Sequence, residues 1–228
     1  MGSNYKITYN VDLVFCIDAT MSMDNIINIV KNNAINFYQD VKKVMLQKHK
    51  VISQMRIKII AFRDYLADQE KAMLCTRFFN LPEEASAFQN AVMSIEAQGG
   101  GDDPEDGLEA LAYAIRSDWT KEGMKRRQVI VVWSDAGTHP LGFGSESPSY
   151  PSNMAKNFDE LTAWWGNKQS GGYMDYHAKR LLLFAPDEEG WSSISNYWEN
   201  VIHFPSEAGM GLNEVNYQQI IDSIANTI

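Results

Sequence analysis

The stretch "VDLVFCIDATMSMDNI", residues 11–26, decides the fold. Its first part, about 11–17, is an apolar run typical of a buried strand, and it turns polar at Asp18, Thr20 and Ser22. Residues 24–47 then carry apolar side chains at helical spacing, which predicts a long helix. The chain therefore begins with a core strand whose carboxyl end leads into a helix through three oxygen-bearing side chains.

The same alternation of strand and helix continues to the last residue. Further strands are predicted at 55–62, 71–79, 127–135 and 179–186, with a short one near 200. Helices are predicted from Pro82 to Ile95, and at 105–117, 154–169 and 212–228. This pattern predicts an α/β fold with a doubly wound, mostly parallel six-stranded sheet, helices on both faces and 71–79 as one antiparallel edge strand.

Length and charge set the class of protein. The 228 residues are 45% hydrophobic, which suits a single domain over 1–228. With 20 basic and 29 acidic residues the net charge is −9, so neither nucleic acid nor an anionic membrane is an expected partner. Residues 1–10 are interpreted as a poorly ordered or tag-derived start.

The location of the protein is predicted from what the sequence contains. Cys16 and Cys75 both lie in apolar runs, so both are expected to be small core residues rather than a disulfide. No signal peptide and no membrane-length apolar run is seen. A cytoplasmic location is the resulting expectation.

Polar residues lie at the ends of several predicted strands and in one loop before a predicted helix. They are Asp18, Thr20 and Ser22, then Asp64, then Asp102, Asp103 and Glu105, and finally Ser134, Asp135, Thr138 and His139. Because ligands of such folds bind at the carboxyl ends of the strands, these residues are expected at one rim. A set made almost entirely of oxygen donors selects a hard cation, Mg²⁺, or alternatively Mn²⁺ or Ca²⁺.

The spacing of the first group has a physical reason. Alternate residues of an extended turn point the same way, so Asp18 and Thr20 can face one point, and Ser22 reaches it from the start of the helix. Neutral hydroxyl ligands leave a cation with excess positive charge. Such an ion attracts a carboxylate from outside the chain.

Three motifs resemble one family. "DATMS" at 18–22 resembles the Asp-x-Ser/Thr-x-Ser motif of von Willebrand factor A (vWA) domains, which forms a metal-ion-dependent adhesion site. "GGGDDPEDGLEAL" at 99–111 and "VVWSDAGTH" at 131–139 resemble stretches of the A-type domains found in integrin β-subunits, and of related bacterial and protist A domains. The resemblance implies the Rossmann-like vWA fold over nearly the whole chain.

The resemblance also implies roles for individual residues. The implied metal set is Asp18, Thr20, Ser22, Glu105 and Asp135, with the two hydroxyls as direct ligands and the two aspartates at or just behind the ion. Asp64 and Asp102 match positions that hold a second ion in integrin β-subunits. Gly100 replaces the asparagine of that second site. Asn25 and Ile26 replace the acid pair of the integrin adjacent site, which is predicted to be absent.

The function implied by the resemblance is metal-dependent binding of a protein partner that donates Asp or Glu to the ion, without catalysis. The alternatives are a Mg²⁺- or Mn²⁺-dependent hydrolase such as a phosphatase, and a scaffold with a vestigial site. "VFCIDATMS" superficially resembles the strand-end aspartate of haloacid-dehalogenase-type phosphatases. Thr20, however, stands where those enzymes need a second acid.

Individual residues have structural alternatives. Asp18 or Ser22 could cap the first helix. Asp103 is interpreted as a loop acid stabilised by a helix N-terminus. Asp64 is either a ligand of a second ion or a hydrogen-bond partner, and His139 is expected to form hydrogen bonds within its loop.

Overall fold

The computed structural model describes residues 7–100 and 104–228. The strands are β1 (Thr8–Asp18), β2 (Val51–Phe62), β3 (Met73–Cys75), β4 (Phe79–Leu81), β5 (Lys125–Trp133), β6 (Lys179–Pro186) and β7 (Val201–Ser206). The helices are α1 (Asp24–Asn33), α2 (Phe37–Gln47), α3 (Tyr65–Asp68), α4 (Ala85–Met93), α5 (Gly107–Ile115), α6 (Phe158–Trp165), α7 (Trp191–Tyr197) and α8 (Tyr217–Thr227). Among the described residues, none of the helices has the length and apolar character needed to cross a membrane.

One sheet runs through the molecule in the order β3-β2-β1-β5-β6-β7. The pairs β1–β2, β1–β5, β5–β6 and β6–β7 are parallel. The short strands β3 and β4 both pair antiparallel with the outer edge of β2. The predicted fold class, a doubly wound α/β architecture with a mostly parallel sheet and an antiparallel edge, is therefore confirmed.

The edge of the sheet differs from the prediction in its strand count. The predicted single strand 71–79 is two strands, β3 and β4, which gives seven strands rather than six. Between them the hydroxyl of Thr76 accepts a hydrogen bond from the backbone N–H of Ile59 at 2.9 Å. The Thr76 side chain thus pairs with a backbone N–H of β2 that would bond to a backbone carbonyl if the edge strand were continuous. Cys75 ends β3 and is exposed, so the prediction that it is a core residue is wrong, whereas Cys16 is buried.

Both faces of the sheet are covered by helices. One apolar cluster joins the sheet to α1, α2, α4 and α8, and a second joins it to α5, α6 and α7. Strand β1 contributes Leu13 and Phe15 to the first cluster and Val14 and Cys16 to the second. Burial on both faces explains why the central strands are apolar without alternation.

Several element boundaries differ from the sequence expectations. Strand β1 begins at Thr8 rather than residue 11. The predicted helix over 24–47 is interrupted between α1 and α2, where the Asn33 side chain donates to the carbonyl of Ile29 at 2.7 Å and competes with the helix backbone. Helix α4 begins at Ala85, because Pro82 lies in a turn rather than in the first turn of the helix.

Asparagine side chains set the starts of two later helices. The side chain of Asn157 accepts from the N–H of Glu160 at 2.9 Å, so α6 begins at Phe158 rather than near 154. The side chain of Asn216 accepts from the N–H of Gln219 at 2.9 Å, so α8 begins at Tyr217 rather than near 212. In both cases the cap lies inside the stretch predicted as helix.

A buried ion pair stabilises the amino end of the sheet. Asp12 on β1 is 1% exposed and accepts from Nε and Nη2 of Arg56 at 2.8 and 2.7 Å. The same carboxylate accepts from the N–H of Thr120 at 2.7 Å. A bidentate, fully hydrogen-bonded pair of this kind joins β1, β2 and the loop after α5.

Replacement of Asp12 by Ala is expected to lower the free energy of unfolding by about 3 kcal/mol, because it leaves the Arg56 charge unpaired near the core. Chemical denaturation followed by circular dichroism measures this change. Glu84→Ala, which removes an exposed ion pair with Arg77, is the control and should change stability much less. Equal effects of the two substitutions would contradict the argument.

Candidate metal centre

The predicted ligands of the first group lie at the carboxyl end of β1. Asp18 is the last residue of the strand, and the 3-10 turn Met21–Met23 carries Ser22 back toward Thr20. Asp18 Oδ1 accepts from the N–H of Thr20 at 3.0 Å and from its hydroxyl at 2.7 Å. The hydroxyl oxygens of Thr20 and Ser22 are 3.4 Å apart. The structure therefore brings these three side chains together.

The residues that follow β5 complete the same edge. The hydroxyl of Ser22 donates to Asp135 Oδ1 at 2.8 Å, and the hydroxyl of Ser134 donates to Asp18 Oδ2 at 2.8 Å. Asp18 is fully buried and Asp135 is 1% exposed. The ends of the two central strands are thus linked through oxygen atoms only.

Glu105 reaches this edge from the loop before α5. Its N–H donates to the carbonyl of Gly137 at 3.2 Å, and its carbonyl accepts from the N–H of His139 at 2.9 Å. A Cβ added at Gly100 would lie 3.0 Å from Glu105 Oε1 and 3.0 Å from Thr20 Cγ2. A side chain at position 100 would therefore be tight against both the Glu105 carboxylate and the Thr20 side chain.

The Glu105 carboxyl group is buried without a partner for one of its oxygens. Its side chain is 4% exposed, and Oε2 has no hydrogen-bond partner among the described residues. Burial and the neighbouring carboxylates of Asp18 and Asp64 raise the pKa of Glu105 to about 9, so the group keeps its proton at neutral pH. A cation placed beside this oxygen would give it a partner and favour its ionised form.

The electrostatics of Asp18 point the same way. Burial raises the pKa of Asp18 to about 6, although the hydrogen bonds from Thr20 and Ser134 lower it. Oδ1 accepts from the N–H and the hydroxyl of Thr20 and Oδ2 accepts from Ser134, so Asp18 orients both of these neighbours. A hard cation fits this donor set, which consists of carboxylates and hydroxyls.

The number of acids limits which ligands such a cation could use. Within 7–100 and 104–228, no three His, Cys, Asp or Glu side chains are grouped as ligands of one ion. An ion at this edge would therefore depend on the hydroxyls of Thr20 and Ser22 together with a carboxylate. The set implied by the sequence includes the three acids Asp18, Glu105 and Asp135 beside these two hydroxyls, and it stays a prediction.

The residues predicted for a second ion are arranged differently. Asp64 caps α3 by accepting from the N–H groups of Leu66 and Ala67, and its other oxygen lies 3.0 Å from Nε2 of His139. Asp64 therefore forms hydrogen bonds to three neighbours, and its role as a ligand of a second ion stays a prediction. Asp102 and Asp103 lie outside the described residues.

Sequence reasoning missed Arg63, which holds the rim in place. Arg63 is 6% exposed, and its guanidinium donates to four carbonyls, those of Ala19, Lys71, Glu96 and Gln98. The signal was available, because a charged residue directly after the apolar run of β2 needs partners when it is buried.

Two further buried acids were also missed. Asp106 and Glu109 are both fully buried, and each has one oxygen without a partner among the described residues. Burial and the nearby Glu109 raise the pKa of Asp106 to about 7. Glu109 accepts from the N–H of Gly142 at 2.8 Å and from the hydroxyl of Tyr150 at 2.9 Å, so it holds the 140–150 loop against α5.

The loop before α8 also contacts the candidate site. Asp135 Oδ2 accepts from the N–H of Gly211 at 2.7 Å, and the Asp135 carbonyl accepts from the N–H of Gly209 at 2.7 Å. A Cβ at Gly211 would lie 2.3 Å from the carbonyl oxygen of Ser22. The approach of this loop to Ser22 and Asp135 therefore requires glycine at 211.

Comparison with known proteins supports the fold. No protein-family model matches the chain. The crystal structure of the pilus adhesin SpaC from Lactobacillus rhamnosus GG is similar over 98% of this chain and 31% of its own, with a TM-score of 0.51 and 12% identity. At that identity the likeness shows the fold alone. The open conformation of the same adhesin aligns with a TM-score of 0.48.

A curated relative is known from sequence comparison. The alpha-protein kinase vwkA of Dictyostelium discoideum is 24% identical over 94% of this chain. The alignment covers 33% of that kinase, so the chain spans about a third of its length. One distant relative of the chain is therefore an enzyme.

Gly211→Ala is expected to destabilise the protein, because the added methyl group would collide with the Ser22 carbonyl. Gly209→Ala is the matched control, since its φ of +71° is similarly strained but nothing lies within 4 Å of its Cβ position. Thermal unfolding should show a larger loss for Gly211→Ala. Equal losses would mean that backbone strain alone accounts for the effect.

The stability of the metal-free protein is expected to fall as the pH rises from about 4.5 to about 9. Over that range the native state retains a proton on Glu105 that the unfolded state has lost, so the free energy of unfolding decreases. Glu105→Gln should flatten this dependence and, at about pH 8 in EDTA, gain about 1–3 kcal/mol. Identical pH profiles for the two proteins, measured by urea denaturation, would contradict the assignment.

Proposed function

We propose that this chain is a metal-dependent protein-binding module of the vWA type. A divalent cation, Mg²⁺ in the first place and Mn²⁺ or Ca²⁺ as alternatives, is held by Asp18, Thr20, Ser22, Glu105 and Asp135. The observation that carries the proposal is the buried Glu105 carboxylate, which has an oxygen without a partner among the described residues and lies near the side chain of Thr20. The cation supplies an attraction for an Asp or Glu of the partner protein.

The chain's own residues have separate tasks in this proposal. Thr20 and Ser22 offer neutral oxygens, Glu105 offers charge, and Asp18 and Asp135 orient the two hydroxyls through the hydrogen bonds described above. Few negative charges touch the ion, so its attraction for an external carboxylate remains strong. Binding without turnover is part of the proposal.

The choice against a covalent phosphatase rests on Asp18. This side chain is fully buried, and its two oxygens accept from Thr20 and from Ser134. A nucleophilic carboxylate needs a free oxygen that faces the substrate. A cytoplasmic location and a single domain over 1–228 stay predictions from the sequence.

Calorimetric titration of EDTA-stripped protein with MgCl₂, MnCl₂ and CaCl₂ tests the cation site. Saturable binding is expected for the wild type, and Thr20→Val should weaken it at least about tenfold because a direct oxygen ligand is lost. Thr120→Val is the matched control, since Thr120 donates its backbone N–H to Asp12, away from the rim, and the variant should bind like the wild type. No saturable binding by the wild type would overturn the site.

The partner chemistry is tested with a phage-displayed library of random dodecapeptides on immobilised wild-type protein in MgCl₂. Peptides eluted by EDTA are expected to share an Asp or Glu, and replacement of that residue by Asn or Gln should abolish binding. Peptides that bind equally in EDTA, or equally to Asp18→Ala, would favour a scaffold with a vestigial site. Mg²⁺-dependent turnover of p-nitrophenyl phosphate that is lost in Asp18→Ala would favour a hydrolase.

A further inference from the structure

A groove lies beside the candidate metal centre. It has a volume of about 590 Å³, within the range of ligand-binding clefts. Its apolar side chains come from the loop before α5 and α5 itself, from the loop after β5 and from the start of α6, and two acids come from the loop after β6. The lining includes the apolar residues Pro104, Leu108, Leu141 and Phe158 and the acids Glu188 and Glu189.

The walls of this groove are fixed to one another. Thr138 Oγ1 accepts from the N–H of Leu108 at 3.1 Å, and the indole N–H of Trp191 donates to the carbonyl of Ala136 at 3.0 Å. A Cβ at Gly190 would lie 2.4 Å from Thr138 Cγ2, so the loops after β5 and β6 touch directly. A preformed groove loses little conformational entropy when it binds a ligand.

The groove adjoins the proposed cation site through the loop that carries Glu105, although none of the five proposed ligands lines it. Pro104 directly precedes Glu105, and the carbonyl of Gly137 accepts from the N–H of Glu105 at 3.2 Å. The position of a Cβ on Gly137 is 2.5 Å from Glu188 Oε2 and 3.4 Å from Pro104 Cβ. A ligand anchored at the cation would therefore continue past Pro104 and Gly137 to Glu188.

The charge of the groove indicates which kind of ligand segment would bind in it. Glu188 and Glu189 are exposed, and neither carboxylate has an ion pair or a hydrogen bond in the part of the chain that the structure describes. The lining contains no lysine or arginine among those residues. An acidic groove with an apolar wall attracts a segment that carries a basic and an apolar side chain.

We propose that this groove binds the part of the partner that adjoins its metal-binding acid. The inference rests on the function proposed above and specifies the partner segment. An apolar side chain of the partner packs against Leu108, Leu141 and Phe158, and a Lys or Arg pairs with Glu188 and Glu189. The recognised segment is therefore of mixed charge, with a carboxylate at the cation and a cation at the glutamates.

The test uses the EDTA-eluted dodecapeptides selected on the wild type as probes. They are expected to contain a Lys or Arg near the shared acid, and their affinity is measured by fluorescence polarisation. The charge reversal Glu188→Lys/Glu189→Lys should weaken binding about tenfold or more. A peptide with its basic residue changed to Glu should recover affinity for that variant.

The control is Glu83→Lys/Glu122→Lys, which changes the net charge equally at exposed acids outside the groove lining. It should bind the peptides like the wild type, and both double variants should bind Mg²⁺ like the wild type. Selected peptides without a basic residue, or equal losses in the two double variants, would overturn the groove assignment and leave the cation site intact. If EDTA elutes no peptides, and the peptides then recovered with acid depend on Glu188 and Glu189, the proposed function is overturned instead.

Discussion

The hydrogen bonds of the Asp18 carboxylate fix the geometry of the whole carboxyl edge. One oxygen accepts from Thr20 and the other from Ser134, so the ends of β1 and β5 are tied across the centre of the sheet. Every other feature of the edge is placed relative to these two strands. The turn that presents Ser22, the position of Asp135 and the loop that carries Glu105 all follow from where β1 and β5 end.

Three buried acids near this edge reduce the stability of the protein. Glu105, Asp106 and Glu109 all have buried oxygens without partners among the described residues, and burial raises the pKa of each. Buried acids of this kind are uncommon, because an unpaired charge in the interior is unfavourable. The apolar clusters on both faces of the sheet contribute stability that offsets this unfavourable burial of acids.

Much of the architecture could be predicted because strands buried on both faces have a distinctive sequence. The apolar run of β6 was located at 179–186 with its observed bounds. Boundaries set by single side chains were not predicted, as with Asn33 between α1 and α2 or Thr76 between β3 and β4. In these places a side chain replaces a backbone hydrogen bond, and hydrophobic periodicity carries no signal for such a replacement.

The candidate site was predictable to the extent that its residues end strands. Asp18, Thr20, Ser22, Glu105 and Asp135 lie at one edge, as parallel topology requires, whereas the contact of Gly211 with Ser22 joins residues that are distant in sequence. Asp12 was missed because an isolated acid within an apolar strand gives no indication that Arg56 will face it. Pairings between distant residues need the register of the strands, which a single sequence does not provide.

The guanidinium of Arg63 joins three segments of the rim. It donates to carbonyls from the end of β1, from the turn at Lys71 and from the segment at Glu96 and Gln98. A backbone hydrogen bond from Gln98 to Ala19 joins two of these segments as well. A lysine would offer three donors without the planar fork, so it could not satisfy the same four acceptors. A positive charge built into the chain thus contributes to the shape of the rim, and arginine and lysine are not interchangeable at this position.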